Sequence, residues 1–244
     1  MRNFEKLWRL VLKKIISEFK YFYCAMIKKV KRILSDIPGY IFRTLRKIHI
    51  NLSLIWGTGI TRFLCFLKGV KLGKHSRFYG RPRIHRNPHC RISIGDYNTF
   101  RSDLTNNIGY NNKCILLARE ENSIIETGNN SSFNGVAICA VERITIGNNV
   151  MIGYNALLTD SDGHPIDPEK RVKHTAKGLA KPIIIKDNVW IGANSTILKG
   201  VQIGENSVIG ANSYITTNIP PNVVAAGNPC KVVMPMAMII EERE

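Results

Sequence analysis

Acidic residues are scarce in this chain, with 18 Asp and Glu against 35 Lys and Arg in 244 residues, a formal net charge of +17. The imbalance is local: residues 1–50 hold 13 Lys/Arg and 3 Asp/Glu, so +10 of the +17 sits at one end, on an appendage and not on the main body. Paired cysteines are absent too. Cys24, Cys65, Cys90, Cys114, Cys139 and Cys230 are scattered with no Cys-x-x-Cys, which excludes a zinc knuckle or disulfide framework and predicts buried thiols in a reducing compartment. No clean apolar run opens the chain, because lysines interrupt its first 30 residues, so a secretory signal is not expected and the expected compartment is cytoplasmic. The most apolar stretch, 48–67, is a poor membrane span because it contains His49, Asn51, Gly57, Gly59 and Arg62. No nucleic-acid recognition motif accompanies the basic charge, so nucleic acid ranks last among partners.

What is present is a repeat. Between Ile185 and Pro220 an aliphatic recurs every six residues, at Ile185, Ile191, Ile197, Ile203, Ile209 and Ile215. Three places after each comes Asn188, Asn194, Gly200, Asn206, Asn212 or Asn218. Asn and Gly tolerate a left-handed backbone at low cost, so they mark a turn every six residues, and the aliphatic is the position that faces inward. Short strands joined by regular turns make a solenoid. Earlier coils are less regular: Val70–Gly73 and Ile92–Asp96 begin the pattern, and residues 100–143 keep apolar spots at Ile108, Ile115, Ile124, Phe133 and Ile138 with slips expected to be bulges or insertions. The pattern breaks at Leu158 and resumes at Pro182, so residues 159–181 are expected to loop out of the wall, where a long aperiodic segment is usually functional.

Three runs, Ile146–Ala156, Val189–Ser195 and Asn218–Val232, resemble the hexapeptide-repeat acyltransferases, nearest the maltose and galactoside O-acetyltransferase branch and its polysaccharide-acetylating relatives. The resemblance covers about residues 67–232 and implies a mainly β fold, a left-handed parallel β-helix with three hexapeptides per coil. It also implies acetyl-CoA as co-substrate, no metal, a sugar or glycan acceptor, and a homotrimer with each active site between two subunits. The expected organisation is a basic helical extension at 1–66, the solenoid at 67–232 with its loop at 159–181, and a tail at 233–244.

By resemblance, His164 in the loop's His-Pro-Ile is the catalytic base. An alcohol is almost never ionised near neutrality, whereas neutral imidazole can take its proton as oxygen attacks the thioester carbonyl. The oxyanion then needs an N–H donor, placed by resemblance on the Ile191–Asn194 turn, where Ala193 replaces a serine of some members and offers only its backbone amide. Asn134 and Glu142 match acceptor-holding positions, since an amide and a carboxylate make directional bonds to hydroxyls. Asn134 reads equally as a turn residue, and Glu142 alternatively orients His164. Trp190, Ala193, Ala211 and Thr216 match the coenzyme A groove, although Trp190 also suits a subunit interface. Thr217 and Met234 stand where some relatives carry Lys and Arg, which leaves Lys199 or Lys231 for the coenzyme phosphates. The loop cations Lys170, Arg171, Lys173 and Lys177 suit an anionic acceptor, or simply solvent.

Other classes stay open on sequence alone. The same base serves an amine, so N-acylation of an amino-sugar nucleotide is an alternative. A zinc hydratase of this fold uses three histidines, but near His164 only His174 falls, while His75, His85 and His89 lie in early coils. A non-enzymatic scaffold would need neither the His164 loop nor Trp190. In the extension, Phe4, Trp8, Val11, Ile15, Phe19, Phe22, Met26, Val30 and Ile33 form one helical stripe, and residues 36–39 with Pro38 are expected to end that helix. Such a segment suits attachment to an anionic membrane surface, peripheral on the inner face of the cytoplasmic membrane, or packing over the open end of the solenoid.

Overall fold

The computed structural model describes residues 2–103, 112–172 and 176–238, without the side chains of residues 2–13, 15, 16 and 19. The side chains of Phe4, Trp8, Val11, Ile15 and Phe19, the apolar position Ile108, and Lys173 and His174 therefore lie outside the described set. The chain forms two compact units, Met1–His49 and Ile50–Glu244.

The first unit is helical. Helix α1 runs Arg2–Leu34 and helix α2 Ile37–Leu67, so α2 continues into the second unit. The break between them is only Ser35 and Asp36, shorter than the expected stop at 36–39. Asp36 explains why: its Oδ1 accepts from the Gly39 amide at 3.0 Å and caps α2, and Pro38 sits in the first turn, where its missing N–H costs nothing. On this unit Tyr21, Phe22 and Phe42 are exposed.

The second unit is the expected left-handed parallel β-helix. Three parallel sheets run along it, each taking every third strand of the sequence until the C-terminal end of the second. The first sheet holds Lys71–Leu72, Arg91–Ile94, Ile124–Thr127, Arg143–Ile146, Ile183–Ile185 and Gln202–Ile203. The second holds Arg77–Tyr79, Thr99–Arg101, Ser132–Asn134, Met151–Ile152, Trp190–Ile191, Val208–Ile209 and Val223–Ala226, and ends on the antiparallel Lys231–Pro235. The third holds Arg83–Arg86, Ile115–Ala118, Ala137–Ala140, Leu157–Thr159, Thr196–Ile197 and Tyr214–Ile215. Ile185 pairs with Ile203, Ile191 with Ile209 and Ile197 with Ile215, so one coil consumes three hexapeptides.

Register stacks like on like. Inside the second sheet Phe78, Phe100 and Phe133 stack with centroids 5.0 and 4.5 Å apart, and Ile152, Ile191 and Ile209 continue the column, all at most 1% exposed. Truncating one such residue, as in Ile191→Ala, costs about 2–5 kcal/mol. At the corner between first and second sheets the turn asparagines sit at positive φ and their amides form a ladder: Asn130 donates to Asn149, Asn149 to Asn188, Asn188 to Asn206 and Asn206 to Asn222, at 2.8–3.0 Å. The asparagine chosen for its backbone tolerance thus also binds coil to coil. Buried Asn98 does the same inside, donating to the Gly95 and Gly128 carbonyls and accepting from the Ser131 amide.

The open first coil is covered by the second half of α2. Gly57, Thr61 and Cys65 are buried there, with Ser53 and Thr58 half-buried. Thr58 Oγ1 accepts from the Phe78 amide at 3.0 Å, Ser53 donates to Asp103, and Arg62 donates to the Ser76 carbonyl. A Cβ at Gly57 would stand 2.4 Å from the Phe78 carbonyl oxygen, so only glycine allows this approach. Cys65, Cys90, Cys114 and Cys230 are buried and Cys139 is half-buried, and burial raises the thiol pKa of Cys65, Cys114, Cys139 and Cys230; Cys24, unlike the expectation for all six, is exposed.

Candidate active site

The triangular section gives every turn residue one of three corners, and this sorts the candidate residues. Strands of the second sheet pass to the third through Asn134–Gly135, Gly153–Asn155, Gly192–Asn194 and Gly210–Asn212. A groove of about 600 Å³ follows that corner, lined among others by Arg101, Asn134, Tyr154, Trp190, Ala193 and Ala211. Its floor is made of glycine and alanine because successive coils press together there. The amides of Gly192 and Asn194 bond the Ile209 and Tyr154 carbonyls, whereas the Ala193 amide makes no backbone bond among the described residues. Ala193 therefore carries an N–H that a ligand in the groove can use.

Glu142 and the loop lie at a different corner, where the third sheet passes to the first. The loop leaves after Leu157–Thr159 and returns at Ile183–Ile185, with a short helix α3, Pro168–Val172, at its outer end. Its neck is clamped by Asp160, fully buried, whose carboxylate accepts the amides of Val141, Glu142 and Arg143 at 2.7, 2.8 and 2.7 Å. Burial raises the pKa of this carboxyl, and the three amides oppose that rise. The limbs of the neck pair through the Ser161–Ala180 bridge and the Lys181 amide on the Asp160 carbonyl. Lys199 donates to Asp162, and Lys177 reaches Glu120 at 2.7 Å, so the loop is fastened to the wall on both sides. His164 sits exposed on this frame, and a Cβ at Gly178 would stand 2.8 Å from its backbone nitrogen. Glycine lets the two limbs close at that point.

One chain thus brings together Asn134, Trp190, Ala193 and Ala211, and separately Glu142 and His164. Thr216 follows the third-sheet strand Tyr214–Ile215 and does not line the groove. Lys231 lies opposite Ala226, whose side chain borders Gly210 of the groove, while Lys199 is engaged by Asp162. Three residues without a role in the sequence reading emerge. Asp160 holds the neck. Tyr154 lines the groove, with burial pushing its hydroxyl pKa up to about 12. Arg101 donates to Ser132 Oγ at 2.9 Å and Asn134 Oδ1 at 3.1 Å, with its guanidinium 5.6 Å from the Tyr79 ring centroid. Their only sequence signal is a charged or aromatic residue beside a turn.

Residues 182–217 match the bacterial transferase hexapeptide (six repeats) family. Over those residues the solenoid is similar to the hexapeptide-repeat transferases. Over 90 residues the chain is 51% identical to the galactoside O-acetyltransferase of Escherichia coli (strain K12), covering 37% of this chain and 43% of that protein. Over 106 residues it is 43% identical to the galactoside O-acetyltransferase of Lactococcus lactis subsp. lactis (strain IL1403), covering 43% and 49%. The chain thus spans less than half the length of these curated relatives. In fold it is similar to AntD, an N-acyltransferase from Bacillus cereus solved with dTDP and 3-hydroxybutyryl-CoA, at TM-score 0.56 and 18% identity over 75% of this chain and 92% of that one.

Proposed function

We propose that this hexapeptide-repeat protein is an acetyl-CoA-dependent O-acetyltransferase acting on a hydroxyl of a sugar or surface-glycan precursor. The observation that carries the reading is the groove, where Trp190, Ala193 and Ala211 line one channel with Asn134. A pantetheine arm can lie against the small residues and bond the Ala193 amide, while Asn134 takes an acceptor hydroxyl. The galactoside O-acetyltransferases it resembles supply the reaction class.

The base comes from another copy. His164 and the groove occupy different corners of one chain, so a complete site needs the loop corner of one subunit against the groove corner of the next. A closed threefold ring supplies three such junctions. In each, His164 takes the acceptor proton, the oxygen attacks the thioester carbonyl, and the Ala193 amide donates to the oxyanion. Coenzyme A then leaves as the thiolate, which the protonated imidazole neutralises. Glu142, on the His164 side, holds an acceptor hydroxyl or the imidazole. The basic extension keeps the enzyme at an anionic membrane surface, near lipid-linked acceptors. Acetyl-CoA-dependent thiol release, screened over sugars and sugar nucleotides, tests the reading: release stimulated by a hydroxyl acceptor is expected, and stimulation by amino-sugar nucleotides alone would make it an N-acyltransferase.

A further inference from the structure

Among the described residues, Arg101 is the one charged residue lining the groove. It is half-buried, and no carboxylate among the described residues forms an ion pair with it. The rest of the lining is glycine, alanine, aliphatic and aromatic side chains, with the amide of Asn134. A guanidinium removed from bulk water beside such walls is costly unless an anion meets it. Its bonds to Ser132 and Asn134 both use Nη1, and a guanidinium has five donors. Contact with the Tyr79 face and the two hydrogen bonds hold the fork in place before any ligand arrives. Arg101 also sets Asn134: with Oδ1 accepting from Arg101, the amide keeps its N–H donors for a ligand oxygen.

Position along the groove says which ligand. Trp190, Ala193 and Ala211 belong to later coils, and Lys231 borders their C-terminal end, the one suited to coenzyme phosphates. Arg101 lies one coil before Asn134, at the opposite end, where the acceptor sits. We infer that the acceptor is anionic, carrying a carboxylate or phosphate that Arg101 receives while Asn134 binds a neighbouring hydroxyl. This inference rests on the acetyltransferase reading. A fixed fork matches either oxyanion in a bidentate manner, which a lysine cannot reproduce.

The test uses the full chain with acetyl-CoA and paired acceptors: neutral hexoses, the matching uronic acids, sialic acid, and sugar phosphates. The wild type should prefer one anionic class by about tenfold or more in kcat/KM. In Arg101→Gln that preference should collapse to about threefold or less, with Arg101→Lys between. Preference for the carboxylates or for the phosphates identifies the source of the anion. Equal use of neutral acceptors by the wild type, or a preference that survives Arg101→Gln, overturns the inference. So does a tenfold rise in the acetyl-CoA Kd of Arg101→Gln, which would put Arg101 on the coenzyme. Acetyl-CoA binding without transfer to any anionic acceptor also overturns it, whereas failure to bind acetyl-CoA at all overturns the reading beneath it.

Discussion

Two residues at the loop corner do different work and fail differently when replaced. His164 is exposed and holds nothing together, so His164→Ala should leave folding and acetyl-CoA binding intact while lowering transfer at least about 10²-fold. Steady-state kinetics beside calorimetric titration of acetyl-CoA checks this, and a variant keeping more than a third of its turnover would remove His164 from the chemistry. Asp160 is fully buried and accepts three backbone amides, so Asp160→Asn sets an N–H against at least one donor. A buried donor left unsatisfied costs about 1–3 kcal/mol, and here it also loosens the neck that carries His164. Asp160→Asn should therefore melt earlier and lose turnover, with acetyl-CoA affinity kept because the groove is at another corner. Unchanged melting and turnover would show that the clamp does not matter.

At the scale of elements, α2 carries its character on two faces. The stripe against the solenoid is small or polar, with Ser53, Gly57, Thr61 and Cys65, while Trp56, Phe63 and Phe66 point away at 66%, 61% and 80% exposure. By length and composition α2 suffices to cross a bilayer; on the proposed membrane reading, the half committed to the solenoid along one stripe would instead lie in the headgroup boundary. On that proposal a basic residue of this half, such as Arg62, would add about 1 kcal/mol of attraction to an anionic surface. Changing Trp56, Phe63 and Phe66 together to Ser should leave the melting temperature nearly unchanged and lower flotation with anionic vesicles about tenfold or more. Equal flotation of both proteins would leave these side chains without a lipid role. The same helix shows what a sequence conceals. The large apolar residues of 48–67 dominate any periodicity, yet glycine, threonine and cysteine make the contact, because the close approach of a helix to a coil selects small residues. The coils after Ile144 were legible because each hexapeptide is complete and every turn has its Asn or Gly. Arg101 was not, since the six-residue register slips from residue 100 onward and a charged residue beside a turn does not by itself mark a groove position. Asp160 was visible only as a loop residue, because burial by three amides from another coil leaves no local trace.

For the whole molecule, the corner assignment is the strongest constraint. A hexapeptide repeat puts residues on one of three corners by their place in the coil, and it separates His164 from Asn134, Trp190 and Ala211 within any one chain. If the site forms between copies, two inactive proteins can repair each other. His164→Ala keeps an intact groove, while Ala211→Trp keeps an intact loop and fills its own groove, at an exposed position where a large side chain does not disturb the core. Each alone should be inactive. Co-expressed in equal amounts and assembled at random into closed threefold rings, they should recover about a quarter of wild-type turnover, because a junction works only when the groove comes from the first variant and the loop from the second. Light scattering of the active mixture should give a trimeric mass. No recovery from rings shown to contain both variants would place the whole site within one chain, and a monomeric mass from active protein would remove the junctions altogether.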